Sequence, residues 1–226
     1  MNVDAEQYQR TLYLDLELTC WDRPQPVGRS PEIIEIGVVE MDLKGPKIIN
    51  EAAYLVWPRH LEISTRCANL TGLSVDDLKS APPFEEVIDA LVSKFSPSTK
   101  LCCTWGRDAE LEADACRSHG VRTLLRNALD MGYLFSRVFL LCEQPSLRKA
   151  VDIIGLLFDG VPHTALGDAR NTAHVHAAII RRMRREPDPA HDVRNQLPDC
   201  SRPTLFAEKL NQAMRKLNGG CEPERG

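Results

Sequence analysis

Between residues 11 and 19 apolar side chains fall at every second position, Leu12, Leu14, Leu16 and Leu18, with Tyr13, Asp15, Glu17 and Thr19 between them. This alternation predicts a strand whose leucine face is core and whose other face presents two carboxylates about 7 Å apart along the chain. Residues 32–41 and 47–57 are rich in Leu, Ile and Val, are separated by turn residues, and predict two further strands, hairpin-linked, so that the sheet begins antiparallel. Residues 63–95 read as short helices broken by Gly72 and by Pro82 and Pro83, then a helix over about 84–95. "TKLCCTW" predicts a fourth strand with a helix starting near Gly106, and "NALD" a short fifth strand. Three helical stretches follow, near 131–141, 145–157 and 166–185. The order describes a mixed α/β domain over 8–186. Prolines and polar residues then mark a linker, after which Leu205, Phe206, Leu210, Met214 and Leu217 recur at helical spacing. Residues 187–226 are therefore expected to be a linker and a C-terminal amphipathic helix, packed on the domain or on a partner chain.

Length and composition narrow the picture. A chain of 226 residues fits one compact domain of roughly 180–190 residues with a tail. No apolar run approaches the roughly 18 residues of a membrane span, and the polar N-terminus lacks an export signal. A cytoplasmic protein without membrane association is expected. Cysteines at 20, 67, 102, 103, 116, 142, 200 and 221 include no C-x-x-C pair, which argues for reduced, mostly buried thiols. The net charge of −4 provides no general basic surface for phosphates, so any nucleic acid must be held locally. Two short basic clusters stand out, "RTLLR" at 122–126 and "RRMRR" at 181–185. The second suits the last turn of a helix whatever else it does.

The candidate chemistry starts with Asp15 and Glu17. A D-x-E pair on an edge strand would be a solvated polar face. Converging on one point, however, two carboxylates push each other to protonate unless a cation lies between them, and hard oxygen donors suit Mg²⁺ or Mn²⁺ rather than zinc. Asp168 heads a helix whose inward stripe continues through Thr172, Val175 and Ile179. As a first-turn acid it favours the helix dipole; aimed inward it is costly without a cation or a cap partner. His163 precedes it by five residues in the entering loop. Asp108 follows a strand and Gly106 at the head of another helix, with Glu110, Glu112 and Asp114 as rivals. Strand ends and helix N-termini meet at one edge of an α/β sheet. Asp15, Glu17, Asp108 and Asp168 can therefore surround one pocket with His163 beside it, the make-up of a two-metal phosphoryl-transfer site.

The segments "DLELTCW", "EIIEIGVVEMD", "LTGLSVDDLKSAPPFEEVIDAL", "WGRDAELEADAC" and "HTALGDARNTAHV" resemble, in order and spacing over about residues 11–185, the DEDDh 3′-to-5′ exonucleases of the ribonuclease-H-like superfamily. The likeness is to the branch typified by the Eri-type exoribonucleases and the KapD-like bacterial proteins. It implies a five-stranded mixed sheet flanked by helices, and an enzyme that removes nucleoside 5′-monophosphates from single-stranded 3′ ends, RNA favoured. It also implies two Mg²⁺ or Mn²⁺ ions on Asp15, Glu17, Asp108 and Asp168, with His163 as general base. Leu18 and Thr19 backbone and the apolar Leu73 would hold the terminal nucleotide. Asp108 lacks the phenylalanine common before its counterpart in proofreading relatives, although the Trp-Gly lead of "TWGRD" fits the Eri-like branch. Glu35, expected to point with Ile33 and Val39, takes a structural role in this pattern. Trp21 either stacks on a base or caps the core. The tail after 186 has no counterpart in the family domain, and protein partners are not indicated. A DNA-directed exonuclease shares the same catalytic residues, and a non-catalytic nuclease-fold interaction protein is the other alternative.

Overall fold

The alternation at the start of the chain builds the middle of a sheet, not an edge. Strands β1 (Arg10–Leu18), β2 (Ile33–Asp42), β3 (Lys47–Leu55), β4 (Leu101–Thr104) and β5 (Leu129–Asp130) are arranged in the order β3-β2-β1-β4-β5. β1 pairs antiparallel with β2 and β2 with β3, whereas β4 runs parallel to β1 and β5 to β4. This is the five-stranded mixed sheet of a ribonuclease-H-like fold. The computed structural model describes residues 9–22, 25–126 and 128–184; the expected linker and C-terminal helix lie outside them.

Both faces of β1 are covered. On one, Leu12, Leu14 and Leu16 pack with Ile36 and Val38 against α3 (Phe84–Phe95), which buries Phe84, Val87, Ile88, Leu91 and Phe95. Each such side chain contributes about 1.5–3 kcal/mol by burial, far above the few tenths of a kcal/mol per residue that separate ordinary helix propensities. Packing, then, is what holds α3. On the other face Tyr13, Val39 and Met41 pack against α5 (Met131–Val138), α6 (Leu147–Ile153) and α7 (Ala165–Met183). The Tyr13 hydroxyl and His176 Nδ1 are hydrogen-bonded at 2.6 Å inside this layer.

The turn chemistry sets the element ends. Ser64 caps α1 (Thr65–Thr71) at the Cys67 N–H, and Gly72, at φ 74°, stops it. Ser74 and Asp77 form a reciprocal capping box on α2 (Val75–Leu78). α4 (Asp108–His119) ends at Gly120, φ 66°. The helix expected over 131–141 stops at Val138, with Leu140 left-handed at φ 53°, and that expected over 145–157 is confined to Leu147–Ile153, with Gly155 at φ 72° beyond it.

Two expectations are corrected. β2 bulges where Glu17 pairs with Glu35 but Leu18 with Ile33. The extra residue, Ile34, turns Ile33 into the leucine-side core, so Glu35 shares its face with Val39 and not with Ile33. Among the cysteines, Cys20, Cys67, Cys102, Cys103 and Cys116 are free thiols, as expected, but Cys142 is disulfide-bonded. The "RRMRR" cluster behaves as a helix end: Arg182 lies over the Phe139 ring and Arg184 donates to the Leu43 and Lys44 carbonyls. Among the described residues no helix is long and apolar enough to cross a membrane.

Candidate active site

α7 delivers Asp168 to the sheet because β2 leaves room for it. At Gly37 an added Cβ would overlap the Ala165 carbonyl and the Leu166 nitrogen, so only glycine lets the head of α7 come this close. Next to it, Glu35 Oε2 accepts the Ala165 N–H at 2.9 Å. Thr164, the N-cap residue, makes no side-chain cap, and Glu35 supplies that acceptor from 130 residues away. The loop before α7 is strapped by buried Asn171, whose Nδ2 donates to the Asp159 and Gly167 carbonyls while its Oδ1 accepts the Asp159 N–H. Outside the helix, Arg170 grips Glu51 of β3 with both Nε and Nη2.

Asp108 is placed by a second anchor. Oδ1 of Asp130, at the end of β5, accepts from the N–H groups of Gly106, Gly132 and Tyr133 and from Gln144 Nε2. That one oxygen fixes the turn between β4 and α4 and so the start of α4. The three rivals of Asp108 are occupied elsewhere. Glu110 pairs with Arg107 and Asp114 with Arg117 on the surface. Glu112 is buried, accepting from the Thr123 hydroxyl and the Leu124 N–H.

The result is a crowd of acids at the C-terminal end of β1. Asp15 is pushed well above the usual carboxylate range, by burial first and then by the charges of Asp108, Asp168, Glu17 and Glu35. Burial, followed by Asp168, Glu35 and Asp108, raises Glu17 to about 8. Asp108 rises to about 7 by burial, with a hydrogen bond from the Leu16 backbone pulling the other way. Asp168 rises to about 6 by burial, restrained by His163. Asp15, Glu17, Asp108, Asp168 and His163 are thus brought together. One ligand atom each from Glu17, His163 and Asp168 lies within 4.8 Å of the others. Asp168 Oδ2 accepts the His163 N–H at 3.3 Å, and its buried Oδ1 has no partner. An orphaned buried acceptor costs on the order of 1–3 kcal/mol. Clustered, under-satisfied carboxylate oxygens are the donor set that hard divalent cations require, so the residues fit Mg²⁺ or Mn²⁺.

His163 stands apart from the acids in its backbone: φ is 62°, left-handed, on an exposed loop. Such strain costs about 1–3 kcal/mol in a non-glycine residue and gathers at functional sites. Along β1, Leu18 is half-buried. The Thr19 N–H and hydroxyl are both engaged with Glu32, donating to its carbonyl at 2.8 Å and accepting its N–H at 2.9 Å. Leu73 is half-buried beside Cys20, Leu61 and Ile63. Trp21 is partly buried, with its Nε1 shielded and without a hydrogen bond. Glu35 enters as a positioning acceptor, in line with its expected structural role. Asp130 and Asn171 are not singled out by the sequence patterns above; the available signals are a polar residue on the inward stripe of α7 for Asn171 and the D-x-G helix start for Asp130.

The acids give the metal-free protein a defined pH response. Protons held at about 8, 7 and 6 by Glu17, Asp108 and Asp168 are bound in the folded state but not in an unfolded chain, where carboxylates titrate near about 4. Stability therefore falls as pH rises through that range. Burial lowers His176 to about 4, which acts oppositely: stability is lost as pH falls from about 6.5 towards 4. Of these four groups, only the acids titrate between pH 6.5 and 8.5. Thermal melts in EDTA should show Tm dropping across that window, and saturating Mg²⁺ should raise Tm more at pH 8.5 than at 6.5. A flat profile in EDTA would show that the folded state does not hold these carboxylates above their ordinary range.

Residues 12–176 match the model of the RNase_T exonuclease family. The zebrafish (Danio rerio) ERI1 exoribonuclease 2 is 26% identical over 200 residues, covering 76% of this chain and 35% of the relative. The Drosophila melanogaster 3′-5′ exonuclease Snipper is 25% identical over 201 residues, covering 78% of this chain and 71% of the relative. The chain thus spans about a third of the length of the zebrafish relative. Among solved structures, the nuclease domain of 3′hExo, described as a DEDDh family member bound to rAMP, superposes with a TM-score of 0.70 at 20% identity, covering 81% of this chain and 96% of that one. A 3′-exonuclease described in specific recognition of the 3′ end of histone mRNA stem-loop gives 0.70 at 20% identity, covering 77% and 64%. At that identity the two superpositions speak for the fold.

Proposed function

Since the chain belongs to the exonuclease family, we propose that it is a 3′-to-5′ exonuclease releasing nucleoside 5′-monophosphates from single-stranded nucleic acid, RNA before DNA, with two Mg²⁺ or Mn²⁺ ions. The observation that carries this reading is the convergence of Asp15, Glu17, Asp108 and Asp168 at the end of β1, their charges uncompensated, beside a strained loop histidine. The names of the relatives, which are exoribonucleases and a 3′-5′ exonuclease, support polarity and substrate.

In this mechanism Asp15, Glu17 and Asp168 would hold one ion, and Asp15 and Asp108 would hold the other. When bound, the ions supply the Lewis acidity that lowers the pKa of a water and offsets charge on the leaving 3′ oxygen. The chain does the rest. His163, on its exposed loop, takes the proton of the attacking water. Glu35 and Gly37 set the head of α7, and with it the spacing of Asp168 from β1. Asp130 does the same for Asp108. Leu73 would supply an apolar contact for the terminal nucleotide and the backbone at Leu18 and Thr19 a polar edge, with the Thr19 N–H already committed to Glu32.

Purified protein with Mn²⁺ and equal-sequence RNA and DNA, labelled in turn at the 5′ and 3′ ends, tests the assignment. The 5′-labelled strand should shorten as a descending ladder, the 3′-labelled strand should release a labelled monophosphate at once, and RNA should be consumed faster. Excess EDTA should abolish both, and Ca²⁺ should bind without supporting turnover because its looser coordination does not hold water and phosphate in line. An internal cut as first product, or full activity in EDTA, would overturn the mechanism; no cleavage of either polymer would leave a binding protein.

A further inference from the structure

On the far side of the sheet from the acids lies a cavity of about 550 Å³ that the proposed reaction does not use. It opens between α3, the start of β4 and the loop 121–126. Its Cys102 pairs with Leu12 and shares that residue's core, the face of β1 opposite Asp15 and Glu17. Lys100 and Cys102 lie at the beginning of β4, whereas Asp108 follows its end. The cavity is therefore separated from the acid cluster by both the thickness of the sheet and the length of a strand.

Its chemistry is mixed in a particular way. Ile88, Val92, Pro97 and Leu124 make aliphatic walls, and Val92 remains 43% exposed. Arg122 and Arg126, the two cations of "RTLLR", also line the cavity, both exposed and, among the described residues, neither in an ion pair. The third cation, Lys100, is already spent on Glu40 at 2.9 Å and on the Phe95 carbonyl. Asp89, Ser98 and Thr123 complete the polar lining. Two arginines lining one cavity suit a dianionic phosphate better than a single carboxylate, since each guanidinium offers a planar pair of donors. The volume is several times that of a phosphate and falls in the range of sites that hold small organic ligands. The aliphatic walls accept the faces of a planar ring, and a carboxylate such as Asp89 is a ready acceptor for the hydroxyls of a ribose diol.

We propose that this cavity is a second nucleotide site that takes a ribonucleoside 5′-monophosphate, its phosphate on Arg122 and Arg126, its ribose at Asp89 and its base between Ile88, Val92, Pro97 and Leu124. The class of ligand rests on the reading of the chain as an exonuclease only in that such a monophosphate is the product it would release. Occupancy does not require the acid cluster. In EDTA those carboxylates repel a phosphate, so binding there isolates the second site.

Isothermal titration of the full chain with AMP in excess EDTA tests this, with dAMP, inorganic phosphate and a short RNA oligonucleotide as parallel probes. AMP should bind saturably at one per chain, more tightly than dAMP and much more tightly than phosphate. The Arg122→Ala/Arg126→Ala double variant should weaken AMP by at least about tenfold, the loss of about 1.4 kcal/mol, while hydrolysing a labelled pentanucleotide in Mn²⁺ at the unaltered rate. Asp89→Asn should narrow the gap between AMP and dAMP. No saturable binding, equal affinity in the double variant, or phosphate alone matching AMP would each overturn the proposal. An oligonucleotide that outcompetes AMP would assign the cavity to the polymer instead. Turnover is read separately, so failure here leaves the exonuclease reading standing, and absence of turnover leaves the titration informative.

Discussion

Asp168→Asn is expected to lower hydrolysis on the order of 10³-fold, the scale of losing one preorganised electrostatic partner, and at the same time to make the metal-free protein more stable at pH 8. The two effects share a cause. Asp168 heads the list of charges that raise Glu17 once burial is counted, and it contributes to the raised pKa values of Asp15 and Asp108 as well. Asparagine keeps the shape and removes the charge. With no cation present, three acids then share the space of four, and each kcal/mol of relieved repulsion should raise Tm by about 2–4 °C for a domain of this size. Where Mg²⁺ is saturating, the sign reverses, because the variant has lost a donor and the wild type gains more from binding. Thermal melts of both proteins with EDTA and with Mg²⁺, beside a single-turnover assay, read this crossover. A variant less stable than wild type in EDTA would make Asp168 a structural acid, and undiminished turnover would remove it from the metal site.

Trading stability for charge convergence also explains which features the sequence discloses. β1 and β2 were readable because period-two alternation is a local property, and α3 because its apolar stripe and the prolines before it lie within a dozen residues. Asp15, Glu17, His163 and Asp168 were readable because their spacing is short and their residue types are ill-suited to a core. The bulge at Ile34 was not. One extra residue on a strand reverses the faces beyond it, and nothing in "EIIEIG" distinguishes a regular strand from a bulged one.

Long-range partners were equally hidden. The sequence pattern assigns Glu35 a structural role without naming its partner; only the arrival of the Ala165 N–H shows that its carboxylate is occupied in holding α7. Gly37 reads as a weak point in a strand until the head of α7 is seen against it. Asp130 ends the short strand that "NALD" announces, but nothing local shows its partners, whereas in the fold its single Oδ1 gathers the turn that aims Asp108. In each case the sequence displays the residue and the fold supplies the reason.

His163 is where binding and chemistry can be separated. Its ring lies within reach of Glu17 and Asp168, so geometry alone would admit it as a ligand, but it stands on an exposed loop with a left-handed backbone, where a group can approach and leave. If it is the base, His163→Ala should slow the chemical step by about 10² to 10⁴ while leaving the Mg²⁺-induced rise in Tm and the binding of a 3′ end nearly unchanged. Alanine alone is ambiguous, since it inherits the strained φ of 62° without the side chain that accompanied it. His163→Asn answers this, because asparagine tolerates the left-handed region and preserves the loop while removing the imidazole. Both variants should therefore be slow, and both should keep the metal response. Recovery of turnover in His163→Asn would show that the loop conformation, and not the ring, was what the reaction needed. Loss of the metal-induced Tm shift in both would instead make His163 a ligand, with the proton of the attacking water passing to another acceptor.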